Sequence, residues 1–155
     1  MAGAAIPTAA ATIQSVLAAR RDRRDRREAD RRQACVDLVQ AAENLRTQVA
    51  NNHDYHGDEM GARLAQVRAF AAQARIQAVR ISLAAPPELA QVAQELATAA
   101  SRLAEAAEAR TDLRQGASTE LPDLGDLDAR IAAFRAAAMR IAAEPRKGSA
   151  SDQHD

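Results

Sequence analysis

The densest group of possible metal ligands in the sequence lies in the segment NNHDYHGDE, residues 51–59. Imidazole and carboxylate side chains are usual ligands of zinc and of several other divalent ions. The group consists of His53, Asp54, His56, Asp58 and Glu59. A loop this short rarely surrounds an ion without a second element, and the predicted helices offer no further ligand. We therefore expect a polar loop between two helices, with no metal and no cofactor.

The residues needed for catalysis are scarce and scattered. Nucleophilic catalysis needs a serine or cysteine near a histidine and an orienting acid, but the one histidine outside the loop, His154, lies near the C-terminus. The single cysteine, Cys35, precedes Leu38 by three residues on an apolar face, which is typical of a small buried side chain. Neither a glycine-rich phosphate loop nor the Glu-x-x-His motif of a di-iron bundle occurs in the sequence. We expect a noncatalytic protein without a small-molecule substrate.

The most unusual feature is the arginine-rich segment RRDRRDRREADRR, residues 20–32. It contains eight arginines and four acidic residues, a net charge of +4, in a chain whose formal net charge is zero. Several opposite charges stand four residues apart, as Glu28 and Arg32 do, and this spacing stabilises a helix in water. Because charge falls on every side of such a helix, we expect it to stand in solvent. The arginines are Arg20, Arg21, Arg23, Arg24, Arg26, Arg27, Arg31 and Arg32.

Three kinds of partner suit an exposed arginine-rich helix. A protein helix can pair with it through complementary charges, as at the flanks of a coiled coil. Nucleic-acid phosphates attract arginine, but four acids interleave here and no aromatic residue lies nearby to stack on a base. A membrane flank is the third kind. The sequence favours a protein partner or a homo-oligomer, with weak nucleic-acid binding and a membrane-proximal role as alternatives.

Residues 1–19 carry no charge and hold a few bulky apolar side chains. The length suggests a membrane span, yet the segment is mostly alanine and includes Thr8, Thr12 and Gln14, which oppose insertion. The bulky side chains fall near one side of a helix: Ile6, Ile13, Val16 and Leu17. We predict that they form a partner-binding patch on a cytoplasmic protein, with membrane association as the alternative.

Apolar residues that alternate spacings of three and four predict four helices, at about 8–50, 59–84, 87–116 and 126–144. Pro87 is a plausible first residue of the third helix, and Asp126 a plausible cap of the fourth. The apolar faces of the first two helices comprise Cys35, Leu38, Ala42, Leu45 and Val49, then Met60, Leu64, Val67, Ala71, Ala74, Ala78 and Ile81. Those of the last two comprise Leu89, Val92, Leu96, Ala99, Leu103 and Ala106, then Leu127, Ile131, Phe134, Ala138 and Ile141.

Four such helices joined by short connections predict an all-α protein, an antiparallel four-helix bundle with a long, N-terminally extended first helix. We assign residues 1–33 to an exposed arm, 34–145 to the bundle and 146–155 to a disordered tail. The chain holds 41 alanines in 155 residues and three aromatic residues. Alanine favours helices but buries little area, so we expect closely spaced helices of modest stability.

Three stretches carry a resemblance to a known group of proteins: LAARRDRRDRREADRRQACVDLVQAAENL, VRISLAAPPELAQVAQELATAASRLAEAAE and LDARIAAFRAAAMRIAAE. In these the chain resembles uncharacterised actinobacterial proteins that have an apolar N-terminal segment, an arginine-rich helix and a small helical bundle. The resemblance implies the same fold and assigns no chemistry. This chain departs from the group in its weakly apolar N-terminal segment.

Overall fold

The structure, a computed structural model, describes residues 9–51, 58–112 and 123–143. These residues form four α-helices and, within those ranges, no strand. The helices are α1 (Ala9–Ala50), α2 (Asp58–Ala84), α3 (Pro87–Asp112) and α4 (Gly125–Ala143). The all-α fold is therefore confirmed, and so is the long first helix, which has 42 residues where α4 has 19.

The first helix runs without a break through the arginine-rich segment. Arginine, alanine and glutamate are all good helix formers, so the local propensity of this stretch favours the helix even where no neighbour packs against it. At 1.5 Å per residue α1 is about 63 Å long. Its last turn ends where the N–H of Asn51 donates to the carbonyl of Thr47 (3.1 Å).

The four helices pack as a bundle in which each contacts the next along the chain. Helix α1 also contacts α3 and α4, whereas α2 and α4 do not meet within the described residues. The connection between α2 and α3 consists of Ala85 and Pro86 alone, so these two helices turn back on each other. The predicted helical bundle is confirmed, with α1 and α3 at its centre.

About half of the buried apolar side chains are alanines, spread over all four helices. Small side chains let helix axes approach closely, but they remove little apolar area from water. The area is therefore supplied by a few larger side chains. The largest that are fully buried are Phe134, Leu38, Leu45, Ile81, Leu96, Leu127 and Val67.

The buried faces follow the predicted apolar faces with one clear exception. Ala106 is exposed and Ala107 is buried in its place, so the prediction for Ala106 is wrong. The buried line of α3 keeps the alternating spacing but runs through Ala93, Ala100 and Ala107, each one residue after a predicted position. Apolar residues stand at both sets of positions, so the spacing alone does not distinguish the two lines. The predicted end of this helix at Gly116 lies outside the described residues, as does the tail from 146 to 155.

The start of α4 also differs from the prediction. Its first residue is Gly125, whose N–H donates to the carboxylate of Asp123 (2.7 Å). The prediction of Asp126 as the cap is therefore wrong. Asp126 lies in the first turn, beside the guanidinium of Arg130 (3.4 Å), where its charge suits the positive end of the helix dipole.

Ion pairs attach the short α4 to its neighbours. Arg130 pairs with Glu95 of α3 (2.6 Å), and Asp128 accepts from Arg46 of α1 (2.5 Å). A third pair joins Arg135 to Glu43, also on α1. All of these side chains are partly exposed, so each pair adds at most about 1 kcal/mol and chiefly sets the register of α4.

Candidate partner-binding site

The N-terminal part of α1 extends beyond the packed helices. Every described side chain from Gln14 to Arg27 is exposed, and Ala34 is the first buried residue along the helix. We call residues 9–33, the described part of the predicted arm, the arm. No described helix packs against residues 14–27, and the charged stretch that begins at Arg20 has no continuous apolar face.

The predicted apolar patch lies at the far end of the arm. Val16 and Leu17 are 48% and 47% exposed, which is high for side chains of this size. Ile13 lies four residues before Leu17 in the same helix, and Ile6 lies outside the described residues. Seventeen residues separate Leu17 from Ala34, or about 26 Å along the axis. Because α1 is unbroken, Val16 and Leu17 cannot reach the core of their own bundle.

The predicted arginines lie along the same arm. Seven of them are exposed and one, Arg31, is half-buried where the arm joins the bundle. Arg32 donates to the carboxylate of Glu28 at 2.6 Å, one of the expected pairs with a spacing of four residues. The exposed arginines are Arg20, Arg21, Arg23, Arg24, Arg26, Arg27 and Arg32.

One line of positions along α1 connects the core to the patch. The line begins at the buried residues Leu38 and Ala34. Towards the N-terminus it continues at alternating spacings of three and four residues, and it contains four arginines before it reaches Leu17. The four are Arg31, Arg27, Arg24 and Arg20. A helix that packed along this line would thus meet positive charge beside the bundle and apolar surface at the tip.

The junction of arm and bundle contains the single cysteine. Cys35 is half-buried and packs against the core cluster. Burial raises the pKa of the Cys35 thiol above its ordinary value, and the charge of Arg31 opposes this shift by a smaller amount. A raised pKa disfavours the thiolate, which is the nucleophilic form. Cys35 therefore behaves as a packing residue.

A small-molecule site would need a pocket or a group of metal ligands. Among them, no three histidine, cysteine or acidic side chains come close enough to hold a metal ion. Most of the histidine loop, residues 52–57, lies outside the description. A cavity of about 190 Å³ between α3 and α4 holds neither histidine nor cysteine. Its lining is Ala99, Arg102, Leu103, Ala106, Asp123, Asp126 and Leu127.

The structure also shows exposed apolar side chains that the sequence reasoning missed. Three of them lie on α2: Ile76, Val79 and Leu83, which are 55%, 51% and 84% exposed. Val36 on α1 and Met139 on α4 are exposed singly. The signal for the α2 group is present in the sequence, since apolar residues recur there at spacings of three and four on a second face of the helix.

Comparison with known proteins adds no family and no function to these observations. No protein-family model, no curated protein and no solved structure matches the chain. The resemblance to actinobacterial helical-bundle proteins thus stays a prediction. In the three ranges that the structure describes, no helix combines the length and the apolar character needed to cross a membrane.

Proposed function

We propose that the chain is a noncatalytic interaction protein, whose bundle holds the arm in place and whose arm contacts a helical protein partner. The observation that carries this proposal is the position of Val16 and Leu17. They are half-exposed apolar residues about 26 Å beyond the first buried residue of an unbroken helix. Apolar surface that its own fold cannot cover is typical of an interface.

A second copy of the chain is the partner that the arm suits best. Two copies that lie antiparallel with only their tips overlapping bring Val16 and Leu17 of each copy together. The two arginine-rich segments then extend to opposite sides of this contact, so their positive charges stay apart and the segments hold the two bundles apart. The four acids that interleave with the eight arginines weaken attraction to a phosphate backbone, which needs uncompensated positive charge.

Sedimentation velocity of the full chain and of the chain without residues 1–19 tests the proposal. We expect a reversible dimer at tens of micromolar for the full chain and a monomer for the shortened chain. Deletion leaves the bundle intact, because the first buried residue is Ala34, and circular dichroism can verify this. A full chain that stays monomeric under these conditions contradicts self-association.

Two further measurements separate the other partners. If the arm binds nucleic acid, affinity for a generic duplex falls steeply with salt and is lost when four of the eight arginines become glutamine. If the N-terminal segment binds lipid, the full chain pellets with anionic vesicles and the chain without residues 1–19 does not. Either result, together with a monomeric full chain, replaces the protein partner by that ligand.

A further inference from the structure

The helix α2 carries a continuous apolar line on its solvent side. Seven positions at alternating spacings of three and four residues are all apolar and all exposed. We call this line the outer seam, and it consists of Ala62, Ala65, Ala69, Ala72, Ile76, Val79 and Leu83. The N-terminal half is alanine, and the C-terminal half ends in three large side chains that are at least half exposed.

The outer seam is separate from the face that holds α2 in the bundle. That inner face faces α1 and α3, and its positions also alternate spacings of three and four. Its members are Met60, Leu64, Val67, Ala71, Ala74, Ala78 and Ile81, of which all but Leu64 are buried. Helix α4 does not contact α2 within the described residues, so no described element covers the outer seam.

The pattern of the outer seam is that of a helix-packing surface. Positions at a strict alternation of three and four, kept over three heptads, are the a and d positions of a coiled coil. The four alanines allow a partner's axis to come close, and the larger residues supply most of the apolar area. A lipid-binding face is commonly broader and often holds aromatic side chains, whereas this seam is narrow and has none.

Between positions 61 and 82, the residues beside the outer seam carry positive charge and no negative charge, and Glu59 lies one turn before the seam begins. On one side lie Gly61, Arg68, Arg75 and Ser82, and on the other lie Gln66, Gln73 and Arg80. Arg68 is paired with Glu108 through two hydrogen bonds (2.6 and 2.9 Å). Arg75 and Arg80 flank the end of the seam that holds the large side chains.

We infer that the outer seam binds an amphipathic partner helix with an apolar a/d line flanked by acidic residues. Flanking charges of opposite sign select the partner in such pairings. A second copy of α2 has no acidic residue between positions 61 and 82 beside its own seam and so cannot supply this complement; parallel pairing would in addition set Arg75 against Arg80 of the second copy. This surface deepens the interaction role proposed above, but it lies apart from the arm and does not depend on residues 1–19.

Two synthetic peptides of three heptads provide the probe. They share leucine at every a and d position and differ at e and g, where one carries glutamate and the other lysine. Fluorescence anisotropy measures the binding of each to the full chain. We expect the glutamate peptide to bind at least tenfold more tightly than the lysine peptide, a difference of about 1.4 kcal/mol.

Substitutions in the seam test whether this binding uses the predicted surface. Leu83→Gln and Ile76→Gln should each weaken the glutamate peptide by about tenfold or more, while Met139→Gln, an equally exposed apolar position on α4, should not. Arg75→Glu should reduce the preference for the glutamate peptide, and Arg140→Glu on α4 should leave it unchanged. Arg80 is kept, because it donates to the buried Gln77 side chain at 3.2 Å.

Several results would overturn the inference. The first is equal binding of the two peptides, and the second is binding of neither. Pelleting with anionic vesicles that Leu83→Gln abolishes, in a chain that binds neither peptide, would assign the seam to a lipid surface. A dimer that Leu83→Gln dissociates would assign it to a second copy. Peptide binding that survives deletion of residues 1–33, which removes all eight arginines of the arm and ends before the first buried residue, Ala34, separates this inference from the role of the arm.

Discussion

Two leucines in opposite environments allow the core to be tested with one chemical change. Leu38 on α1 is fully buried, whereas Leu83 on α2 is 84% exposed. Leu38 lies in the middle of α1 and Leu83 in the last turn of α2, and replacement of leucine by alanine changes the helix propensity by only a few tenths of a kcal/mol at either site. The difference between Leu38→Ala and Leu83→Ala therefore isolates the contribution of burial.

The expected magnitude follows from the composition of the core. Removing a buried leucine side chain costs about 2–5 kcal/mol, and the cost rises with the volume of the cavity that remains. About half of the buried apolar residues here are alanines, which have no side-chain torsion with which to move into a cavity. We expect Leu38→Ala to reduce the free energy of unfolding by about 3 kcal/mol or more. Leu83→Ala should change it by less than about 0.5 kcal/mol.

Urea denaturation followed by circular dichroism measures both variants. A loss of about 3 kcal/mol is a large part of the roughly 5–15 kcal/mol that is typical of a domain. It lowers the melting temperature by roughly 6–12 °C in a chain of this size. The dependence of the free energy on urea should be the same for both variants, because they expose the same surface on unfolding. Equal losses at Leu38 and Leu83 would refute the assignment of the core.

Three further outcomes follow from single side chains. Phe134→Ala removes the largest buried side chain of α4 and should reduce the free energy of unfolding by about 3–5 kcal/mol. Hydrogen exchange should then show that the backbone amides of α4 lose their protection first. The hydrogen bond from Arg68 lowers the pKa of Glu108, so Glu108→Gln should destabilise the chain slightly at neutral pH, and variant and parent should converge as the pH falls through the lowered pKa. Because burial raises the pKa of the Cys35 thiol, Ellman's reagent should react more slowly with the folded chain than with the urea-unfolded one; equal rates would contradict its burial.

The helices themselves could be predicted because their signals are local. Leu38 and Leu45 stand seven residues apart on one face of α1, and both are fully buried. Propensity and opposite charges at a spacing of four account for the helical arm, as the contact between Glu28 and Arg32 illustrates. No neighbouring element is needed for either inference.

The ion pairs between helices could not be predicted, because they depend on how α4 packs against the other helices. Arg46 meets Asp128 across 82 residues of sequence, and Arg135 meets Glu43 across 92. Many other charged pairs have the same composition, and only the packed structure selects these. At Asp126 a good capping residue lies in the first turn while Asp123 caps the helix instead.

The candidate site was predictable only in part, for a related reason. A long charged stretch predicts its own exposure, so the sequence points to the arm at Arg20 to Arg32. Periodicity alone does not tell how many faces of a helix are covered. The inner face and the outer seam of α2 have the same spacing, and only the positions of α1, α3 and α4 show that Ile76 and Leu83 lie in solvent.

Self-association through the tip of the arm is the central claim, and a matched pair of variants tests it most directly. Val16→Gln combined with Leu17→Gln makes the tip polar, whereas Val36→Gln changes an equally apolar, exposed residue on the packed part of α1. Sedimentation equilibrium compares both with the unmodified chain. We predict that the double variant weakens the dimer at least tenfold and that Val36→Gln leaves it unchanged. An unchanged dimer in the double variant, or a monomeric unmodified chain, would contradict the account.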